Sequence, residues 1–418
     1  MSAPANPTFK PSRMGVAVLA TIAVLSGAAV AAGACFDTRQ FAFSYLFAFL
    51  SFFTICAGAL FWVLVHHLAK AEWSVVVRRQ LENLAALLGV LAVLFIPLVF
   101  VAPLLWSWMD VPPDTGMKAH PSHVEQASRL LSQQEGSRDG RPTSLLEAKR
   151  PYLTPWFFWV RSAFYLLFFS AAAMALRSFS VRQDRDGDPC WSAINRKLSL
   201  AGLPVFAFSL TFAAIDWLMG LDYRWFSTIW GVYLFAGSAL SGLCALVLVV
   251  TALRHAGYFE GIITPEHYHL LGKLLLAFTI FWAYIAYSQY LLIWYANIPE
   301  ETVYFVIRSS GSWRLLNIIL VAGHFLIPFL LLLPASGKRK PAFLCGVAAG
   351  ILAMHLLDIY VIVLPVLHQT GVRFTWLDLA CPTAIACTLA AIFLKCLGNT
   401  ALWPLRDPRL NESLLLKN

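Results

Sequence analysis

Charge is scarce in this sequence. Only 13% of its 418 residues are Asp, Glu, Lys or Arg, whereas 59% are hydrophobic and the mean hydropathy is +0.69. Soluble domains carry about 25% charged residues, which cover much of their surface. The composition therefore excludes a soluble globular protein of this size and predicts an integral membrane protein. The formal net charge of +9 then indicates anchoring against an anionic membrane surface rather than binding of nucleic acid.

Clustered cysteines are also lacking. Eight cysteines are spread along the chain, and no two of them form a Cys-x-x-Cys pair. Iron-sulfur clusters need thiolates at short spacings, and nothing in the spacing suggests a disulfide framework. We therefore expect this chain to hold neither.

Apolar runs recur ten times, each about 20 residues long, which is the length that a hydrocarbon core of about 30 Å requires. The first run has no convincing signal-peptidase site before Asp37, so it is predicted to remain as a span. We expect an all-α polytopic membrane protein. The predicted spans cover residues 14–35, 41–66, 84–106, 155–177, 198–220, 227–252, 268–295, 313–333, 341–367 and 376–397.

The basic residues of the short loops fall on one side of the predicted membrane. Lys70, Arg78 and Arg79 follow the second span, five basic residues lie between Arg177 and Lys197, and three follow the eighth span. The loops on the opposite side hold about one basic residue each. The positive-inside rule therefore places both termini in the cytoplasm.

One polar insertion, residues 107–154, is too long for a simple connector. The predicted topology places it outside the cytoplasm, where it either packs on a partner or is disordered. His120 and His123 within it have a spacing seen in metal sites. Pro121 between them and the lack of a third ligand argue against a metal there.

Ionisable side chains inside the predicted spans are few. Each costs about 2.5–3.5 kcal/mol at the membrane centre, so those that are kept are candidate functional residues. His355 and Asp358 lie three residues apart in the ninth span and share one helical face. The full set is Arg161, Asp216, Lys273, His324, His355 and Asp358.

Two interpretations of this set stay open. In the first, the residues are stations on a proton path whose intermediate hydroxyls come from Tyr284 and Tyr287, since relays need neighbouring titratable groups. In the second, Asp216, Arg161 and Asp358 form ion pairs or hydrogen bonds that fix helix packing. Packing explains each residue alone more simply, but two histidines at membrane depth favour a function.

Weaker signals come from other polar residues. His324 and His355 would hold a haem only if they lay at matching depth on facing helices, and the neighbouring Asp358 suits a proton path at least as well. Glu300 and Glu301 follow Pro299 outside the seventh span, where we expect structural or interface charges.

Several segments resemble the F subunits of bacterial alternative complex III, in the NrfD-like or polysulfide-reductase membrane-subunit superfamily. The most specific is Trp294-Tyr-Ala-Asn-Ile-Pro-Glu-Glu-Thr, and the resemblance runs from about residue 151 to the C-terminal end. After the Asp-Trp element the family commonly has Glu and His, where this chain has Asp222 and Arg224. Since Arg224 is a permanent cation, we give it no proton-transfer role. The matching segments are residues 212–221, 225–233, 272–284, 289–304 and 403–414.

The resemblance implies two four-helix bundles side by side, made of spans two to five and six to nine, with the first and tenth flanking them. Residues 1–40 would then hold the N-terminal tail and first span, 41–220 the first bundle, 221–370 the second, and 371–418 the last span and C-terminal tail. The interior path would lie in the second bundle and at the junction. Its expected residues are Asp216, Asp222, Lys273, Tyr284, Tyr287, His324, His355 and Asp358.

The resemblance also implies a function. Such complexes oxidise membrane quinol and pass the electrons to a periplasmic carrier or to a terminal oxidase. The F subunit holds no redox cofactor and is expected to act as scaffold and candidate proton conduit in the bacterial inner membrane. Its implied partners are a quinol-binding NrfD-like subunit, an iron-sulfur and molybdopterin-like subunit, and multihaem and monohaem cytochromes c, so the haem c and the iron-sulfur clusters lie on partners.

Two rival functions remain. A quinol-binding subunit would use an acid such as Asp216 or Asp222 to take a proton from quinol near the outer surface. A free-standing secondary transporter would have spans broken at matched mid-membrane positions, and the prolines inside the predicted spans form no obvious matched pair.

Overall fold

The computed structural model describes residues 9–110 and 142–416. Within these ranges every regular element is a helix, and ten helices are long and apolar enough to cross a membrane. The predicted all-α, multi-pass class is confirmed. The ten are α1 (Arg13–Phe36), α2 (Thr38–Leu68), α3 (Glu72–Phe100), α4 (Pro155–Asp186), α5 (Cys190–Leu221), α6 (Trp230–His255), α7 (Pro265–Ala296), α8 (Trp313–Leu332), α9 (Pro341–Val366) and α10 (Leu377–Gly398).

Local sequence fixes the ends of α7. Thr264 is the N-cap, Pro265 is the first helical residue, and the side chains and backbones of Thr264 and His267 form a reciprocal capping box. Proline suits this position because its missing N–H has no intrahelical acceptor there. At the other end Asn297 adopts a left-handed conformation with φ 50° and terminates the helix.

Helix α3 begins earlier than the sequence predicts. The expected span is 84–106, whereas the helix covers Glu72–Phe100 and so includes Arg78, Arg79 and Glu82. It consists of the segments Val75–Ala86, Leu88–Leu94 and Ile96–Phe100. Pro97 explains the last interruption, since it has no N–H to donate to the preceding turn.

The centre of the molecule is the crossing of α2 and α6, the two helices with the highest buried share. A Cβ placed on Gly58 would lie 1.7 Å from the carbonyl oxygen of Ser238, and one on Gly242 would lie 2.6 Å from the carbonyl carbon of Gly58. Only glycine permits this approach. The indole of Trp62 also donates to the carbonyl oxygen of Ala239 at 2.9 Å, which fixes the register of the two helices.

The remaining spans pack around this crossing. Helix α2 contacts α3 and α5, α3 contacts α4, and α4 contacts α5. Helix α6 contacts α7 and α9, α7 contacts α8, and α8 contacts α9. Helices α1 and α10 pack on each other and on α2.

The first and last described segments lie side by side. A Cβ on Gly398, at the end of α10, would be 3.1 Å from Pro11, just before α1. We call this end of the molecule the terminal end and the other the opposite end. The loop between α5 and α6, the helix Pro142–Lys149 and the short helix Pro299–Arg308 lie at the opposite end.

Candidate functional site

Three of the predicted residues meet inside the group formed by α6, α7, α8 and α9. His324, His355 and Asp358 have exposed fractions of 0%, 1% and 3%, and the centroids of the two imidazole rings are 6.5 Å apart. We call these three residues the interior triad.

Asp358 accepts hydrogen bonds from two other helices. The hydroxyl of Tyr233 on α6 donates to one carboxyl oxygen, and the indole N–H of Trp282 on α7 donates to the other at 3.3 Å. Both donors are neutral. Among the described residues, no basic side chain forms an ion pair with Asp358. The carboxyl group is therefore held in place by neutral partners.

His324 lies in an irregular turn of α8. Residues Val321–Leu326 form a π-helix between two α-helical segments. Pro328 explains this widening, because it has no N–H to bond the carbonyl of His324 four residues earlier. The imidazole stacks on Trp282 with ring centroids 4.0 Å apart. Within the described part of the chain, neither of its nitrogens has a hydrogen-bond partner.

His355 joins the triad to the central crossing. Its Nε2 lies 2.8 Å from the hydroxyl oxygen of Thr54 on α2. Its Nδ1 is buried with no hydrogen-bond partner in the described ranges and faces Gly237, where an added Cβ would be 3.4 Å from this nitrogen. Buried polar atoms without partners are rare in proteins, and three of the four imidazole nitrogens here are of this kind.

An aromatic column runs from Asp358 to the opposite end. Tyr233 stacks on Trp230 at 5.4 Å, Trp230 meets Trp225 at 5.0 Å, and Trp225 stacks on Tyr304 at 4.2 Å. Arg308 covers Tyr304 at 3.5 Å from its centroid. These last two residues lie in the short helix outside the spans, where burial raises the pKa of Tyr304 to about 12 and lowers the pKa of Arg308.

Asp216 is placed differently from the triad. Arg161 donates two hydrogen bonds to its carboxylate, each of 2.8 Å, and the hydroxyl of Tyr165 adds a third at 2.9 Å. The guanidinium also lies 3.9 Å from the ring centroid of Tyr152. A bidentate pair between α4 and α5 is what the packing interpretation describes.

The other predicted path residues lie outside the interior. Asp222 pairs with Arg224 at 3.1 Å in the loop between α5 and α6, where the two side chains are 29% and 22% exposed. Tyr284 and Tyr287 are 64% and 61% exposed on α7, and Lys273 is exposed on the same helix. Lys273 and the two tyrosines, which were predicted to line an interior path, lie on the exposed side of α7, because this helix turns Thr279, Trp282 and Ile285 inward.

Glu300 and Glu301 begin the short helix Pro299–Arg308. Carboxylates in a first turn complement the helix dipole, and the structural or interface role expected for them stays a prediction. Arg308 at the end of this helix donates to the carbonyl oxygens of Val361 and Ile362, at 3.0 and 2.6 Å, so it caps α9.

A buried ion network lies at the terminal end, where the sequence analysis did not expect one. Arg79 lies 2.9 Å from Glu82 and 2.8 Å from Asp184 of α4, and Arg78 contacts Glu82 at 3.4 Å. Arg78 also binds Asp407 from the segment after α10. Under the positive-inside rule, Arg78 and Arg79 were predicted to be charged residues of the loop after the second span. Their spacing of three and four residues from Glu82 is the signal that indicates pairing on one helix face.

Asp407 lies in the segment after α10, outside the spans. Burial would raise the pKa of its carboxyl, but the neighbouring charge of Arg78 and the hydrogen bond from it lower that pKa from 3.8 to about 2. The segment after α10 is therefore held by a carboxylate that stays ionised under all ordinary conditions.

No group of three or more His, Cys, Asp and Glu side chains in the described ranges is arranged to hold a metal ion. His120, His123 and most of the predicted polar insertion fall in residues 111–141, outside the described residues. The end of that insertion is described. Helix Pro142–Lys149 packs on the opposite end, where the Lys149 ammonium donates to the carbonyl oxygen of Tyr223.

In comparisons with known proteins, no family model and no curated protein matches this chain.

Proposed function

We propose that this chain is a membrane subunit of a quinol-oxidising respiratory complex of the alternative complex III type, in a bacterial inner membrane. It acts as scaffold and as proton conduit, with the redox cofactors on partner subunits. The observation that carries the proposal is the interior triad, in which a carboxyl group and two imidazoles lie close together at membrane depth with three nitrogens lacking partners in the described chain.

The helix contacts support two four-helix bundles. Contacts join α2, α3, α4 and α5 in a closed ring, and α6, α7, α8 and α9 in a second. The crossing of α2 and α6 joins the two rings, and the hydrogen bond between Thr54 and His355 links the triad to this junction. Lys70, Arg196 and Lys197 are exposed at the terminal end, which supports a cytoplasmic position for both termini.

The triad has polar or aromatic neighbours in both directions. Towards the opposite end lies the aromatic column, with the hydroxyl of Tyr233 and the indole N–H groups of Trp230 and Trp225. Towards the terminal end lies the hydroxyl of Thr279, one turn from Trp282 on α7, fully buried and with no partner in the described ranges. Buried water commonly bridges such groups, and the proposed path would run along these hydroxyls, the imidazoles and the carboxyl.

The test is Asp358→Asn in the native complex. The amide keeps the shape of the side chain and still accepts a hydrogen bond, but it cannot carry a proton. We expect the complex to assemble, and the protons moved per quinol to fall severalfold in reconstituted vesicles. Assembly is checked first by the copurification of haem and iron-sulfur partners.

Asp378→Asn is the matched control. Asp378 on α10 is a buried carboxylate that accepts hydrogen bonds from Gln40 at 3.1 Å and Ser44 at 2.6 Å, away from the triad. We expect it to leave the proton yield unchanged. If Asp358→Asn assembles with normal quinol oxidation and normal proton yield, the conduit proposal fails at its central residue. If the chain purifies without redox partners, its place in a complex fails.

A cavity at the opposite end favours a second candidate, a quinol-binding subunit. It has a volume of about 360 Å³ and is walled by aromatic side chains, among them Tyr152, Trp225 and Phe226, with Lys149 at its edge. Aromatic walls with one polar group suit a planar apolar ring. Asp216 is occupied by Arg161, so the acid proposed as proton acceptor would have to be Asp222.

Photo-affinity labelling with an azidoquinone separates the two candidates. Labelling of the peptides around Tyr152 and Trp225, suppressed by excess quinone and by Trp225→Ala, would favour quinol binding by this chain. Labelling confined to partner subunits favours the conduit alone.

A further inference from the structure

A second cavity lies at the terminal end, between the end of α2, the start of α5 and the segment after α10. Its volume is about 570 Å³. Four basic side chains line it: Lys70, Arg196, Lys197 and Arg409. No carboxylate lies among its lining residues in the described part of the chain, so it concentrates positive charge.

These cations are poorly neutralised by the protein. Within the described ranges no ion pair joins Lys70, Arg196 or Lys197 to an acid. Arg409 lies 3.3 Å from Asp407, but that carboxylate also binds Arg78. One nitrogen of Arg409, Nη1, is buried and has no hydrogen-bond partner in the described residues.

His67 supplies an independent sign of a ligand. It lines the cavity and is 3% exposed. Neither of its ring nitrogens has a hydrogen-bond partner in the described residues, and Glu82 lies 3.8 Å away. An anion bound in this basic cavity would accept hydrogen bonds from such unpartnered N–H groups.

One wall of the cavity is apolar. Leu68 and Leu200 line it, and Leu200 is 62% exposed on the surface of α5. On α5, Lys197 lies three residues before Leu200, about 4.5 Å along the helix axis. Charged and apolar side chains therefore lie next to each other in the wall of the cavity.

We propose that this cavity binds one anionic glycerophospholipid. Its phosphate lies among Lys70, Arg196, Lys197 and Arg409, and an acyl chain runs along Leu200 and the exposed face of α5. Phosphate is the chemistry that guanidinium and ammonium groups recognise at membrane surfaces. The apolar wall favours a lipid over free inorganic phosphate, since a free ion would leave that wall empty. The inference is independent of the proposed respiratory role.

The test is native mass spectrometry of the purified full-length protein in detergent. It is titrated with phosphatidylglycerol, with phosphatidylcholine of the same acyl chains, and with sodium phosphate. We expect phosphatidylglycerol to bind at least tenfold more tightly than phosphatidylcholine, and inorganic phosphate not to displace it at equal concentration. In the double variant Arg196→Gln/Lys197→Gln, its affinity should fall about tenfold, because two charges near the phosphate are removed.

The double variant Lys10→Gln/Lys395→Gln is the matched control. Both residues are exposed at the terminal end and do not line the cavity, so the same charge is removed elsewhere and affinity should be retained. Equal binding of the two lipids, or equal loss in both double variants, overturns the proposal. Displacement by equimolar phosphate identifies a free-anion site and overturns the lipid assignment. The variant Leu200→Gln further distinguishes a phospholipid from free inorganic phosphate, since it should weaken the binding of the lipid but not that of phosphate.

Discussion

The protein contains two buried polar groups of opposite character. At the terminal end, Arg78, Arg79 and Glu82 share their charges with Asp184 and Asp407. In the interior triad, the acid meets only neutral donors, and three imidazole nitrogens have no partner in the described residues. Apart from Asp407, which comes from the segment after α10, the residues of both groups lie in helices that are apolar enough to span a membrane.

The difference distinguishes buried polar groups that stabilise the packing of helices from buried polar groups that do not. Charges that neutralise each other lock helices together, because removing one partner leaves the other buried and unpaired. Imidazoles without partners contribute no such lock, yet burying their polar atoms costs free energy. Packing alone therefore does not account for the triad, and the proposed proton conduit offers a reason for it.

The largest expected effect comes from breaking the closed network. Glu82→Gln leaves Arg79 and Arg78 short of a counter-charge in the interior. We expect a loss of about 3–5 kcal/mol in stability, measured as a lower unfolding temperature of the detergent-solubilised protein. Glu72→Gln, at an exposed position at the start of the same helix, is the control and should change little. Equal unfolding temperatures for the two variants would contradict a stabilising network.

Acid should release the segment after α10. Because the pKa of Asp407 is lowered in the folded state, from 3.8 to about 2, its contribution is fully present above pH 4 and is lost as the pH falls through about 2. The shift is equivalent to about 2 kcal/mol. Hydrogen exchange of residues 400–416 at pH 5, 3 and 2 should show this loss. In Asp407→Asn the exchange should be fast already at pH 5. Slow exchange of this variant at pH 5 would show that the Asp407 carboxylate does not hold the segment after α10.

Two tyrosines in the helices α6 to α9 allow a buried and an exposed hydroxyl to be compared. Tyr233→Phe removes a donor to buried Asp358, which should cost about 1 kcal/mol and lower the proton yield. Tyr284→Phe, on the exposed face of α7, should change stability by less than about 0.5 kcal/mol and leave the yield intact. Thermal unfolding and proton release on the same preparations check both. A larger effect from Tyr284→Phe would move the path to the outer face of α7.

The smallest effect is expected at Asp222. Its pair with Arg224 is partly exposed, and such pairs contribute about 0–1 kcal/mol. Asp222→Asn should therefore scarcely change the unfolding temperature, whereas Asp216→Asn, which leaves Arg161 unpaired against α5, should lower it clearly. A reversed order would mean that the loop between α5 and α6, rather than the buried pair, holds this end together.

Hydropathy predicts the ten spans because lipid imposes a length on every helix. It misplaces α3, since it counts Arg78, Arg79 and Glu82 as exposed charges and cannot register that they neutralise one another. The capped start of α7 is predictable from Thr264 and Pro265 because capping is a local property. Structural features that depend only on residues in the same helical turn can be predicted from the sequence.

The site is harder to predict. Burial of His324, His355 and Asp358 follows from their depth in apolar runs. Their partners Tyr233, Trp282 and Thr54 come from other helices, and nothing in their local sequence distinguishes them from ordinary apolar neighbours. The face of α7 that carries Tyr284 and Tyr287 could not be read from the sequence, because large apolar and aromatic residues occupy both the inward and the outward side of this helix, so periodicity does not indicate which side turns inward.

The bond between Arg78 and Asp407 joins residues 329 positions apart. At translation rates of about 5–20 residues per second, the guanidinium waits roughly 15–65 s for its counter-ion to be made. During that interval Glu82, on the same helix, is the one carboxylate of the described ion network that Arg78 can already contact, so the packing of α3 against the segment after α10 is completed only once residue 407 has been made. The ion pair therefore ties the packing of an early helix to a segment that is synthesised much later.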